Sequence, residues 1–147
     1  MGLLQSLHIS KSALEAQRLR MDVIANNVAN ANTTRTAEGG PYRHQSVRFA
    51  EEGATTPFRD ILGRAANQAP GGGVRVSAII EDQAPPRKVH DPEHPDADAE
   101  GNVLLPNVDM VAEMTDVVSA RRAYEASVTV LNATKADRKS TSLNSSH

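Results

Sequence analysis

The fold of this chain is decided by residues 21–33, Met21-Asp22-Val23-Ile24-Ala25-Asn26-Asn27-Val28-Ala29-Asn30-Ala31-Asn32-Thr33. An apolar stripe at helical spacing ends here, and four asparagines cluster where it ends. Asparagine has poor helix propensity and tolerates left-handed backbone geometry, so the cluster is typical of the end of a helix. We therefore expect a helix from about Leu3 to about Ala29, about 40 Å long at 1.5 Å per residue.

Apolar residues recur at seven-residue intervals at both ends of the chain. The N-terminal stripe consists of Leu7, Leu14, Met21, Ile24 and Val28, although Ser10 and Gln17 make its first half imperfect. A second stripe within residues 108–135 consists of Met110, Met114, Val117, Tyr124, Val128 and Leu131, and Arg121 interrupts it. Two helices of this kind are expected to pair with each other or with neighbouring copies. Two ordinary amphipathic helices on one globular core would give a similar pattern.

The middle of the chain is rich in glycine and proline and predicts short strands. We expect strands at 45–50, 74–81, 87–90 and 103–105, and a short helix after Thr56-Pro57. The predicted fold is α+β, with long terminal helices pairing in a coiled-coil-like layer and a small β-rich middle region. The predicted division is residues 1–34, 35–106, 107–136 and a polar tail at 137–147, which we expect to fray.

Composition excludes several classes of function. The 147 residues include two Phe, two Tyr and no Trp, so little aromatic burial is available for a stand-alone core. A net charge of -2 gives no basic surface for nucleic acid, and the absence of cysteine excludes disulfides and thiolate metal sites. The first residues do not form a secretory signal, so we expect any export to occur without a cleaved peptide.

The densest group of chemically active residues lies in a polar loop, His90-Asp91-Pro92-Glu93-His94-Pro95-Asp96-Ala97-Asp98. Imidazoles and carboxylates could hold a divalent metal, which would suit a small metal-dependent hydrolase. However, His90 and His94 bracket a proline, and the order lacks the EF-hand pattern. A solvated loop with Asp side chains capping its turns is the preferred interpretation. We predict no catalytic, cofactor-binding or metal-binding residue.

The asparagines allow two interpretations. They could cap the end of a helix, or their amides could hydrogen-bond across a packed helix interface and fix its register. Arg121-Arg122 also allows two interpretations, a solvated helix face or an ion pair with another subunit.

Four separated motifs resemble the rod, hook and hook-associated proteins of the bacterial flagellum. The N-terminal motif is Ser12-Ala13-Leu14, Gln17 and residues 21–33; the C-terminal motif is Glu113-Met114 with Ala120-Arg121-Arg122-Ala123-Tyr124-Glu125-Ala126. Two middle stretches narrow the resemblance to proximal-rod members: Gly40-Pro41-Tyr42-Arg43, and residues 91–108 with Asp91-Pro92, His94-Pro95-Asp96-Ala97-Asp98, Gly101 and Pro106-Asn107-Val108. After Ala136 the sequence departs from the family pattern.

The resemblance implies a structural subunit without catalysis or cofactors. Such proteins are exported by the flagellar type III apparatus and assemble helically into the periplasmic rod, with their terminal helices forming an inner layer. Implied partners are the chain itself, other rod proteins, the adaptor to the membrane ring and the export apparatus, but no nucleic acid and no small-molecule substrate. A cytoplasmic helical adaptor would share the same stripes.

The residues expected to form the assembly interface are those of the two stripes together with the asparagines: Leu7, Leu14, Met21, Ile24, Asn26, Asn27, Val28, Asn30, Met110, Met114, Val117, Arg121, Tyr124, Val128 and Leu131.

Overall fold

The structure is a computed structural model that describes residues 2–52 and 72–145. Its elements are α1 (Leu3–Ala29), β1 (Gln45–Glu51), β2 (Val74–Glu81), β3 (Arg87–His90), β4 (Asn102–Leu105) and α2 (Met110–Asn144). Long terminal helices flank a small β-rich middle, which confirms the predicted α+β class. The helix expected after Thr56-Pro57 lies outside the described residues. No described helix combines the length and apolar character needed to cross a membrane.

The chain divides into two compact units. The first unit consists of Met1–Leu19, Arg48–Ala78 and Ala120–His147, and the second consists of Arg20–Val47 and Ile79–Ser119. Both helices and the first two strands contribute residues to each unit, because each of these elements continues across a boundary.

In the second unit, the end of α1 packs against the start of α2. Arg20 lies 3.9 Å from Asp116, and Asn27 lies 3.2 Å from Glu113. A later residue of α1 therefore contacts an earlier residue of α2, so these two segments are antiparallel. The predicted pairing of the terminal helices is confirmed here. Apolar side chains buried around this contact are Val23, Ile24, Ala31, Val103 and Val108.

Two antiparallel strand pairs make up the β-rich middle. The backbone N–H of Asp82 donates to His44 O at 2.8 Å, and that of Glu52 donates to Gly73 O at 2.7 Å, so β1 and β2 run in opposite directions. β3 pairs with β4 from Arg87 opposite Leu105 to His90 opposite Asn102. Gly101 closes the intervening loop at a φ of 81°, which favours glycine.

In the first unit, α1 approaches the start of β2 very closely. Val74 N–H donates to Ser12 Oγ at 3.0 Å, and that hydroxyl donates to Ile9 O at 2.8 Å. A Cβ atom on Gly73 would lie 2.1 Å from Ser12 Oγ, so only glycine fits there. Gly73 is therefore required by this close approach to the helix.

The second helix is longer than the sequence indicated. It was expected to end near residue 136, yet α2 continues to Asn144 with its last residues exposed to solvent. Ser140 and Thr141 donate hydroxyl hydrogen bonds to Asp137 O, at 2.9 and 2.8 Å. These hydroxyls bond to the helix's own carbonyls, which is compatible with a helical backbone. The helix therefore continues past residue 136, where the sequence predicted fraying.

Candidate assembly site

The asparagine cluster is centred on a buried amide at the end of α1. The Asn27 side chain is 0% exposed. Its Nδ2 donates to Gln45 O at 2.8 Å and to Glu113 Oε2 at 3.2 Å. Its Oδ1 accepts from Tyr42 Oη at 2.8 Å and from Gln45 N–H at 3.0 Å. A primary amide offers two donors and two acceptor sites, so the bonding capacity of Asn27 is fully used.

The carboxylate of Glu113 is the contribution of α2 to this cluster. Glu113 is 2% exposed, and its second oxygen, Oε1, is hydrogen-bonded to His44 Nε2. Burying a carboxylate is costly unless each oxygen has a partner. Asn27 and His44 supply those partners, and this arrangement allows the acid to lie between the helices.

Tyr42 approaches the same amide from the loop before β1. Burial, followed by the negative charge of Glu113, raises the pKa of Tyr42 above its ordinary value of 10.0. The phenol therefore stays neutral and keeps the proton that it donates to Asn27. Tyr42 Oη also accepts a hydrogen bond from Asn26 Nδ2 at 3.2 Å.

The neighbouring asparagines do close the end of the helix. Asn30 Nδ2 donates to Asn26 O at 2.9 Å and to Asn26 Oδ1 at 3.0 Å, and Thr33 Oγ1 donates to Asn30 Oδ1 at 3.1 Å. The two kinds of contact therefore fall on different residues. Asn26 and Asn30 serve the helix end, while Asn27 reaches across to β1 and α2.

The structure exposes one apolar face of α2 within the second unit. Val111, Met114 and Val118 lie at positions i, i+3 and i+7, and Val111 is 74% exposed. Residues three or four apart lie on the same side of a helix, so these side chains form one patch. We call Val111, Met114 and Val118 the α2 stripe.

Similarity to known proteins decides which family this architecture represents. A family model described as "Flagella basal body rod protein" matches residues 7–35, and one described as "Flagellar basal body rod FlgEFG protein C-terminal" matches residues 99–142. The flagellar basal-body rod protein FlgC of Borreliella burgdorferi is 46% identical over 145 residues, with 92% of each chain covered. FlgC of Bacillus subtilis is 48% identical over 136 residues, covering 88% of this chain and 89% of its own.

This chain belongs to the FlgC family of flagellar basal-body rod proteins. It is accordingly a structural rod protein of the flagellum, and it assembles with other rod components. The second family match continues to residue 142. The similarity to the family therefore extends past Ala136, after which the sequence was expected to depart from the family pattern.

The predicted interface residues of this FlgC-family chain differ in exposure. Ile24 and Asn27 are buried. The half-buried group is Leu7, Leu14, Met21, Val28, Asn30, Val117, Tyr124, Val128 and Leu131. Asn26, Met110, Met114 and Arg121 are exposed, and Arg121 Nε donates to Glu125 Oε1 at 3.2 Å on its own helix.

The carboxylates of the polar loop bond to residues 34–35 and to the backbone that follows the loop. Asp96 accepts from Thr34 Oγ1 at 2.6 Å and from Arg35 Nη2 at 2.5 Å, and Asp98 Oδ1 accepts from Asn102 N–H at 2.9 Å. The backbone bond from Asn102 lowers the pKa of Asp98. Among residues 2–52 and 72–145, no group of three or more His, Asp or Glu is placed to hold a metal ion.

The sequence did not identify the partners of Asn27 and Glu113 as functional residues. His44 and Gln45 belong to no sequence motif, and Tyr42 and Glu113 were singled out only by the family resemblance. Gln45 takes part through its main chain, which no residue pattern reports. The available signal was Glu113 itself, a carboxylate between apolar positions of a helix stripe, where a charge needs a partner.

Proposed function

We propose that this chain is a proximal-rod subunit that assembles helically through its terminal helices and transmits motor torque. The observation that carries the proposal is the Asn27–Glu113 contact, which fixes α2 on α1 while leaving the α2 stripe uncovered by described residues. A soluble monomer would gain by burying such a patch. In the proposal, neighbouring subunits bury it.

The fifteen predicted interface residues divide into two roles under this proposal. The buried pair, Ile24 and Asn27, holds each subunit together. The apolar members that are half-buried or exposed face neighbouring subunits, because they retain apolar surface after the chain has folded. Residues 1–34 and 107–136 then form the axial layer, residues 35–106 lie outside it, and residues 137–144 extend the second helix.

The remaining parts of the proposal concern location and partners. The chain is exported by the flagellar type III apparatus without a cleaved signal, lies in the periplasm and contacts the adaptor that joins the rod to the membrane ring. It has no catalytic activity and no cofactor. The carboxylates at Asp96 and Asp98 are engaged in hydrogen bonds, which favours this function over a hydrolase built on His90 and His94.

The α2 stripe provides the test. A strain lacking the gene is complemented with Val111→Ser, Met114→Gln or both, and swimming and recovery of the protein in purified basal bodies are measured. We expect both to fall, while the monomer changes its free energy of unfolding by only about 0.5 kcal/mol, as surface substitutions usually do. Ser119→Ala, an exposed change on the same helix, is the matched control. Normal rods and normal swimming with the double variant would refute the proposal.

A further inference from the structure

An open groove lies in the second unit between the end of α1 and the start of α2. Its volume is about 450 Å³. Its apolar lining consists of Val28, Ala31, Pro106, Val108 and Met110. Its polar lining consists of Asn32 and Asn107 together with Arg87 and Asp109, which add one charge of each sign. Ala31 and Val108 are buried beneath it, and Met110 stands exposed at its margin. The groove therefore combines apolar and polar surface with one charge of each sign.

The two charged side chains are not equivalent. Asp109 Oδ1 accepts a hydrogen bond from Val111 N–H at 3.0 Å, so this carboxylate already caps α2. The side chain of Arg87 is exposed and makes no hydrogen bond or ion pair with any residue in the described part of the chain. The groove consequently has one unused charge, a cation. An occupant that matches it carries an apolar side chain next to a carboxylate.

The second unit displays such a pair elsewhere, at the end of β2. Ile79 is 49% exposed, and Glu81 is exposed two positions further along the strand. Alternate residues of a strand project from the same face, so the isoleucine and the carboxylate stand side by side. Glu81 makes no side-chain bond with any residue in the ranges 2–52 and 72–145. We call these two residues the β2 knob.

We propose that the β2 knob of one copy of this chain docks in the Arg87 groove of the next copy. Ile79 would cover the apolar side chains of the groove, and Glu81 would pair with Arg87. The charges are opposite, each lacks a partner within the described residues, and each adjoins exposed apolar surface. This inference rests on the proposed function, because it assumes that copies assemble, and it adds a contact outside the helical layer.

The two surfaces differ, so this contact is head-to-tail. A contact between unlike patches does not close on itself by necessity and can propagate from copy to copy along an open helix. The expected product of cross-linking is therefore a ladder, not a dimer alone.

Charge reversal tests the pairing. The full chain is expressed in the null strain as Arg87→Glu, as Glu81→Arg and as the double variant. Each single reversal places like charges together, and we expect about tenfold or greater loss of incorporation into basal bodies. The double variant restores opposite charges on every copy and should recover most of that loss. Lys88→Glu, which reverses a neighbouring charge on the opposite face of β3, is the matched control.

Cross-linking tests proximity. The chain has no cysteine, so a variant carrying Ile79→Cys and Asn107→Cys has only these two thiols. Treatment of assembled rods with a short bismaleimide should give a ladder, whereas either single-cysteine variant should not. If wild-type protein enters basal bodies but the double reversal fails to rescue and no ladder forms, the groove takes a different partner and this inference is wrong. If wild-type protein is absent from basal bodies, the proposed function itself fails.

Discussion

The side-chain amide of Asn27 donates to the carboxylate of Glu113 at 3.2 Å across 86 positions of sequence. Both groups are buried, so the bond forms only when α2 lies at one position along α1. A single polar residue in a coiled-coil stripe fixes register in the same way, because any shift leaves it unpaired. In this chain the contact lies within one subunit, so it acts before assembly.

Replacing Asn27 should therefore destabilise the monomer. Asn27→Ala leaves the Gln45 peptide, Tyr42 and the Glu113 carboxylate each short of a partner, at about 1–3 kcal/mol for an unsatisfied buried group. Urea unfolding followed by circular dichroism measures the loss. Asn32→Ala is the control, because Asn32 is exposed and its amide bonds to no described residue. Equal stability of the two variants would mean that the Asn27 network contributes nothing in solution.

Tyr42 should make the fold sensitive to alkali. Its pKa is raised in the folded state, so its stabilising contribution is complete below the unfolded value of about 10 and is lost as pH rises through the folded pKa. Tyr42→Phe removes this dependence and costs about 0.5–1.5 kcal/mol near neutral pH for each of the hydrogen bonds to Asn27 and Asn26 that is lost. The measurement is the unfolding midpoint in urea between pH 8 and pH 11, about one unit or more either side of 10. Tyr124→Phe, whose hydroxyl bonds to no described residue, serves as the control.

Asp96 should make the fold sensitive to acid. The hydrogen bond from Thr34, and then the charge of Arg35, lower the pKa of this carboxyl below 3.8. Its contribution is therefore present above the unfolded pKa and is lost as pH falls through the folded value. Asp96→Asn should flatten the stability profile below about pH 4. Glu93→Gln removes a second carboxylate of the same loop and serves as the control for that change, and a flat wild-type profile would contradict the assignment.

Gly73 should tolerate no side chain. In Gly73→Ala, the new Cβ would lie 2.1 Å from Ser12 Oγ and 2.8 Å from Ser12 Cβ, so α1 and β2 must separate. Overpacking of this kind costs about 1–3 kcal/mol. Thermal unfolding gives the loss, and Gly2→Ala, whose Cβ would meet no atom within 4 Å, is the control. An unchanged midpoint for Gly73→Ala would show that this close approach does not persist in solution.

The helices and strands were predictable because their signals are local. The asparagine cluster predicted the end of α1 near Ala29, and the alternation of side chains predicted β2 at Val74–Glu81. The end of α2 was not predictable from polarity alone. Serine and threonine usually compete with a helix, but Ser140 and Thr141 bond to carbonyls of the same helix.

The site was only half predictable. Asn27 stood out as an asparagine beside an apolar stripe, but its partners are 15, 18 and 86 positions away. Such pairings depend on the tertiary fold and leave no spacing in the sequence. The same holds for Gly73, since a glycine run gives no sign of which helix will pass beside it.

The saturation of Asn27 has a consequence for which sequences this fold can accept. Aspartate would supply its acceptors but no donors, glutamine would displace the same groups by a methylene, and leucine would leave the opposite peptide unpaired. Position 45 is the reverse, because it contributes only N–H and C=O, which every residue except proline provides. Saturation mutagenesis should therefore find that position 27 tolerates almost no residue other than asparagine, whereas position 45 tolerates nearly every residue except proline. The requirement for asparagine at position 27 then comes in large part from the backbone of Gln45, whose own side chain takes no part in these bonds.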